Sequence, residues 1–229
     1  MKFTHIIFDM DMTLFDYPSA QLDAFIGCTK ETGIRYTKDI HQIYSDCNEH
    51  QWRLLEQNRI TIDELQINRF MNFLELIERR DIEPEKINKK YTEILETCGY
   101  LIPGVQNIVE TLAKEYILAI ATNGIARVQR GRLKSSGISS YFRYVFISEE
   151  MRKTKPDVGF FNVMLKKMGV KSPENVLMVG DSLLADIAGA VKAGITTCWA
   201  NYSKAPNHTD IKPDYEIFVP EDILSIIKR

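Results

Sequence analysis

The sequence predicts an α/β fold: a parallel sheet with helices on both faces, interrupted after its first strand by an inserted α-helical cap. Three observations predict it. Short apolar runs recur along the chain, helix-like segments with glycine stops lie between most of them, and one long early region is helical throughout.

The apolar runs are Phe3–Phe8, Tyr116–Ala121, Tyr144–Ile147, Val176–Val179 and Thr196–Ala200, with a weaker one at Tyr215–Val219. Each is almost continuously apolar rather than alternating. Strands covered by helices on both faces have this pattern. The intervening segments carry helix signals. Pro103-Gly104 opens Val105–Lys114, with the proline near a helix start. Ile125–Ser136 stops at Gly137, Val158–Met168 at Gly169, and Leu184–Ala193 at Gly194. Strand alternating with helix in this way argues for parallel crossover units.

Residues 17–100 break the rhythm. They hold helical patterns at Ala20–Gly33, Thr37–Asn58, Thr61–Glu78 and Pro84–Cys98. In the third, Leu65, Phe70, Phe73, Leu74 and Ile77 recur at helical spacing, and Thr61 followed by Glu64 is a capping-box signature. A strand precedes this region, so it reads as an insertion. The expected division is a core of 1–16 and 101–229 and a helical cap of 17–100.

Composition excludes several function classes. The chain has 229 residues, enough for one large domain or a core with an insertion. Its formal net charge of −2 carries no whole-chain signal for a nucleic-acid polymer or a membrane surface. No apolar run approaches the ~20 residues of a membrane span. The first run is short, contains His5 and ends at Asp9, unlike a signal peptide. The four cysteines, Cys28, Cys47, Cys98 and Cys198, form no C-x-x-C pair, so reduced structural thiols and a cytoplasmic location are expected.

The chemistry begins at FDMDMTLFD, residues 8–16. In an open α/β sheet, ligands bind beyond the carboxyl ends of the strands. Asp9 and Asp11 follow the first strand, Asp181 follows Val176–Val179, and Thr122 and Asn123 follow Tyr116–Ala121. Adjacent parallel strands would bring these ends together. Carboxylates converging there repel one another without a cation. A hard divalent ion such as Mg²⁺ takes oxygen ligands and keeps positions open for water and phosphate. Phosphoryl transfer needs a nucleophile, a proton donor and charge neutralisation. One carboxylate can attack phosphorus while the other protonates the leaving oxygen. Thr122 can hold phosphate oxygens, and Lys155 can supply balancing positive charge.

Taken in order, DMDMT, ATNG, Lys155-Pro156 and GDSLLAD resemble the four motifs of the haloacid dehalogenase-like phosphohydrolases. Each motif alone is weak; the ordered set is specific and covers nearly the whole chain. The resemblance implies a Rossmann-like core with a helical cap after the first motif. It implies Asp9 as the nucleophile that forms an aspartyl-phosphate and Asp11 as general acid/base. It implies phosphate binding by Thr122, Asn123 and Lys155. Mg²⁺ would be held by the Asp9 carboxylate, the Asp11 backbone carbonyl and Asp181, with Asp186 as an accessory acid. One position departs: the usual motif has glycine after the second aspartate, where this chain has Met12. A subgroup of pyrimidine 5′-nucleotidases tolerates a larger residue there, and residues 147–201 and ITIDELQINRF resemble it too. The implied substrate is a small phosphate ester, a nucleoside 5′-monophosphate of the pyrimidine class.

Singly, each motif has a plainer explanation. Asp9, Asp11 and Asp181 could be turn or cap residues, Lys155 a solvated lysine, and Asp186 a helix-surface acid. Asp16 marks the way into the cap. Within the cap, Trp52, Arg53, Arg69 and Phe70 could stack on a base or reach a phosphate. A core role for Trp52 and Phe70, with both arginines in solvent, accounts for the same pattern better. Trp52 and Arg69 are the candidate substrate contacts. Asp11 disfavours a metal-free dehalogenase and a phosphonate hydrolase. A sugar-phosphate phosphatase or mutase is the nearest alternative, and a catalytically silent binding module is a more distant one.

Overall fold

The computed structural model describes residues 3–57 and 59–228. Strand β1 (His5–Phe8) leads into four helices: α1 (Tyr17–Glu31), α2 (Lys38–Glu56), α3 (Ile62–Leu76) and α4 (Pro84–Leu95). Then come α5 (Val105–Leu112), β2 (Ile117–Thr122), α6 (Ala126–Ser135), β3 (Phe142–Ile147), a short α7 (Ser148–Met151) and α8 (Val158–Met168). The chain continues through β4 (Val176–Gly180), a π-type turn at Leu183–Ile187, α9 (Ala188–Lys192), β5 (Thr196–Ala200), β6 (Tyr215–Ile217) and α10 (Ile223–Ile227).

The six strands form one parallel sheet in the order β3-β2-β1-β4-β5-β6. Alternate residues of β1 serve different layers. Ile6 and Phe8 join Val105, Val109, Ile223 and Ile226 of α5 and α10. Ile7 joins Phe160, Phe161 and Met164 of α8 and Ala190 of α9. Both faces are therefore buried, which is why the strands read as unbroken apolar runs. Gly169 ends α8 at φ 70°, a left-handed conformation open to glycine at no steric cost.

The expected strands and helices all occur, with shifted ends. The strand expected at Tyr144 starts at Phe142, and the last strand stops at Ile217. Helix α1 begins at Tyr17 rather than Ala20, because the Asp16 carboxylate caps the Ser19 N–H at 3.1 Å and Pro18 suits the first turn. Asn58, the expected end of the second cap helix, lies outside the described residues, as do Met1, Lys2 and Arg229. The Thr61–Glu64 capping box is present at the start of α3.

Helices α1–α4 enclose an aromatic cluster. Tyr44 stacks on Phe25 at 4.8 Å and on Phe70 at 5.0 Å, with Phe73 and Tyr91 completing it. Two linkers join this bundle to the sheet. They pair with each other: Asp16 N–H donates to Tyr100 O at 3.0 Å, and Ile102 N–H to Leu14 O at 3.0 Å. Among the described residues, no helix is long and apolar enough to cross a membrane.

Candidate active site

The chain runs outward from β1 on both sides, to β2 and β3 one way and β4 to β6 the other. The sheet thus has its topological switch point at β1, where ligand crevices form. Phe8 is level with Ile120 of β2 and Val179 of β4. The next residue, Asp9, therefore emerges between the ends of both neighbours, and its N–H is held by Val179 O at 2.9 Å. One cleft at this edge is lined by Asp9, Asp11, Thr122, Asn123, Lys155, Asp181 and Asp186, with Trp52 and Glu56 reaching in from α2.

Lys155 organises the floor. Its side chain is 2% exposed, and its ammonium donates to Asp9 Oδ1 at 2.6 Å, Asp186 Oδ1 at 2.6 Å and Ala121 O at 2.7 Å. Burial acts against the lysine charge, but the carboxylates of Asp186 and Asp9 outweigh it and hold its pKa above the ordinary value. The solvated-lysine alternative is thus not what the fold contains. The backbone around Lys155 is pinned as well. Its N–H donates to Asn123 Oδ1 at 2.9 Å, and Asn123 Nδ2 donates to its carbonyl at 2.9 Å. The Asn123 side chain thus positions Lys155 instead of projecting towards a phosphate. The Lys155–Pro156 peptide is cis.

Asp186 is buried, not a helix-surface acid. It lies in the π-type turn, accepts the Ser182 N–H at 3.1 Å, and packs where a β-carbon on Gly180 would meet its carboxylate oxygen at 2.3 Å. Only glycine at the end of β4 leaves room for it. One oxygen each from Asp9, Asp181 and Asp186 lie within 4.8 Å of one another. Burial raises the pKa of Asp9; Lys155 opposes the rise, while Asp186 and Asp11 add to it. Burial, then Asp9 and Asp186, likewise raises Asp181 well above the ordinary carboxylate range. Three carboxylates converging this closely would be balanced by a cation. The donors are all hard oxygens, which suit a divalent ion of the magnesium type. Asp186 belongs to this cluster as much as Asp181 does, an arrangement that motif order alone did not single out.

Thr122 is buried, and its Oγ1 accepts from Gln129 Nε2 at 2.8 Å and from the Gly124 N–H at 3.2 Å. The same Gln129 Nε2 donates to Asp11 Oδ2 at 2.9 Å. Asp11 Oδ1 is ion-paired with Nη1 of Arg132, a fully buried residue of α6. Burial opposes the Arg132 charge, and Asp11 more than compensates, so its pKa is raised. Arg132 also donates from Nε to Cys98 O at 3.3 Å and lies over the rings of Phe15 at 5.1 Å and Tyr17 at 5.7 Å. Gln129 and Arg132 escaped the sequence reading. Their signal was two polar residues spaced i, i+3 beside the apolar Val128 and Leu133.

The cap candidates divide. Trp52 lines the cleft. Phe70 is cap core, and Arg53 is exposed and paired with Glu49 at 2.6 Å. Arg69 is neither solvated nor brought to the cleft. It is 1% exposed, donates to Asn48 and Asn88, and lies 4.6 Å from the Tyr91 ring centroid. Its two Nη groups are thus met by amide oxygens and its plane by an aromatic face inside the bundle. Glu56 was missed, although it stands one helical turn beyond Trp52 on the same face. Met12 adopts φ 60°, so the position that usually holds glycine keeps a left-handed backbone here despite its side chain.

A parallel sheet with carboxylates, a buried lysine and a threonine gathered at its switch point defines a hydrolase of phosphate monoesters. The family model for haloacid dehalogenase-like hydrolases matches residues 6–200, and the chain belongs to that family. It is 34% identical over 230 residues to pyrimidine 5′-nucleotidase PynA of Streptococcus pneumoniae, covering 100% of this chain and 97% of the relative. It is 30% identical to pyrimidine 5′-nucleotidase YjjG of Escherichia coli, covering 95% and 94% of the two chains. The crystal structure of the hydrolase YfnB from Bacillus subtilis, bound to magnesium and described as revealing interdomain movement, superimposes with a TM-score of 0.93 at 32% identity. That match covers 100% of both chains.

Proposed function

We propose that this hydrolase cleaves nucleoside 5′-monophosphates, pyrimidine ones first, with Mg²⁺ and through an aspartyl-phosphate on Asp9. The observation that carries the reading is the single cleft in which Asp9, Asp11, Thr122, Lys155 and Asp181 face Trp52 of α2. Phosphate machinery lies on one side and an indole that can stack on a base lies on the other. Full-length likeness to two pyrimidine 5′-nucleotidases supports the same substrate class.

Asp9, Asp181 and the Asp11 backbone carbonyl, with Asp186 beside them, would hold Mg²⁺, which would supply positive charge to the carboxylates and to the phosphoryl group. Asp9 attacks phosphorus in line. Lys155 balances the charge of Asp9 and the phosphate, and Thr122 holds a phosphate oxygen. Asp11 gives a proton to the departing ribose 5′-oxygen, then takes one from the water that cleaves the aspartyl-phosphate. Residues 17–100 act as a cap whose closure excludes bulk water.

The test is phosphate release from UMP, dUMP, dTMP, purine nucleotides and sugar phosphates, with Mg²⁺ and with EDTA. Magnesium-dependent release that favours the pyrimidine nucleotides is expected. Faster turnover of the sugar phosphates would replace the nucleotide reading with that of a sugar-phosphate phosphatase.

A further inference from the structure

The cleft has an asymmetric charge supply. Among its described lining residues, Lys155 is the only cation, and its ammonium is already engaged by Asp9, Asp186 and the Ala121 carbonyl. Arg132 is committed to Asp11 and the Cys98 carbonyl. Arg53 lies between Trp52 and Glu56 in sequence but is drawn off by Glu49. Away from the acids, Lys155 and Thr122, the lining includes Met12, Tyr17, Trp52 and Glu56. Those are apolar or aromatic surfaces and one carboxylate.

Glu56 is built into this surface. It ends α2 and shares a helix face with Trp52. Among the described residues, its carboxylate makes no hydrogen bond or ion pair. It is close enough to the catalytic floor to feel it: burial first, and then the charge of Asp186, raises its pKa, with Lys155 and Arg53 opposing the rise only in part. A leaving group held between floor and cap therefore meets an acceptor that no cation among the described residues pairs with directly. Hydroxyl and N–H groups are welcome there; a carboxylate or second phosphate is repelled.

We propose that Glu56 is a specificity-determining residue. It restricts the cleft to monoesters whose leaving alcohol is uncharged and donates hydrogen bonds, and it rejects alcohols that carry a second anion. A nucleoside meets this requirement. The proposal rests on reading the cleft as a phosphomonoesterase site, but not on the leaving alcohol being a nucleoside.

Two matched substrate pairs test it. Glycerol 3-phosphate is compared with 3-phosphoglycerate, and UMP with uridine 3′,5′-bisphosphate cleaved at its 5′-position. The wild-type protein, Glu56→Gln and Glu56→Lys are assayed for kcat/KM. Ratios within one preparation cancel any loss of folded enzyme. The wild type should prefer the member without the second anion by about tenfold or more. Glu56→Gln should shrink that ratio about tenfold, and Glu56→Lys should reverse it. Equal wild-type rates within a pair, or ratios unmoved by both substitutions, overturn the proposal. Poor UMP turnover alongside the expected glycerol-pair ratios would end the nucleotide reading and leave the role of Glu56 supported.

Discussion

Arg132 and Asp11 form a buried ion pair that ties the proposed general acid to the cap linkers. The guanidinium that holds Asp11 also donates to the Cys98 carbonyl on the returning linker and lies against Phe15 on the outgoing one. A change in linker geometry therefore reaches Asp11 through one rigid, planar group. Arg132 is a positioning residue in this scheme. Arg132→Met should lower kcat on UMP about 10- to 100-fold while lowering it less on p-nitrophenyl phosphate, whose leaving group needs little protonation. Arg132→Lys should recover part of the loss. Equal losses on both esters, with a matching fall in melting temperature, would mark Arg132 as structural only.

Asp9→Asn removes the proposed nucleophile while keeping its shape. Turnover with saturating Mg²⁺ should fall about 10³-fold or more. Steady-state phosphate release measures this, and near-normal rates would displace Asp9 from the mechanism.

Lys155→Met leaves Asp9 and Asp186 facing one another without their shared cation. Breaking a buried pair in this way costs roughly 3–5 kcal/mol. Urea denaturation in EDTA should show the full loss. Added Mg²⁺ should restore part of it by supplying positive charge to the same carboxylates.

Metal stabilisation should depend on pH with a definite sign. The carboxyls of Asp9 and Asp181 have raised pKa values in the metal-free fold. The unfolded chain releases these protons at lower pH than the folded one. Their contribution to stability is therefore greatest below the ordinary carboxylate pKa and declines as pH rises towards the raised folded values. A cation bound by the ionised carboxylates offsets that decline. The rise in melting temperature caused by Mg²⁺ should be larger at pH 8 than at pH 5, as scanning calorimetry can measure. A rise independent of pH would separate the ion from these acids.

Met12 carries a left-handed backbone that costs a side-chain-bearing residue about 1–2 kcal/mol. Met12→Gly relieves that strain but adds freedom to the unfolded chain. The two effects should nearly cancel, leaving stability within about 1 kcal/mol. Met12→Ile, branched at the β-carbon, should destabilise the protein. Chemical denaturation of both variants distinguishes these outcomes.

Much of this architecture was legible in one dimension. The strands were visible because burial on both faces demands unbroken apolar runs, and helix starts were visible where Thr61, Glu64 and the prolines act through local hydrogen bonding and fixed φ. Motif order marked the acids because a strand's carboxyl end is a local position. Arg69 and Lys155 were harder to place. A long cation looks the same in sequence whether water or buried oxygens solvate it.

By itself, the sequence determined the α/β alternation, the inserted helices and which residue types stand at the strand ends. These follow from periodicity and local stereochemistry. Only the tertiary structure decided that Lys155 and Asp186 are buried against Asp9, and that Asn123 spends its side chain on the Lys155 backbone. It also decided that Arg132 reaches Asp11 and that Glu56 joins Trp52 over the cleft. Each of those arrangements brings residues far apart in the chain together, including the placing of the Trp52–Glu56 helix face over the strand ends. Their partners are chosen by strand order and cap packing, which no local pattern encodes.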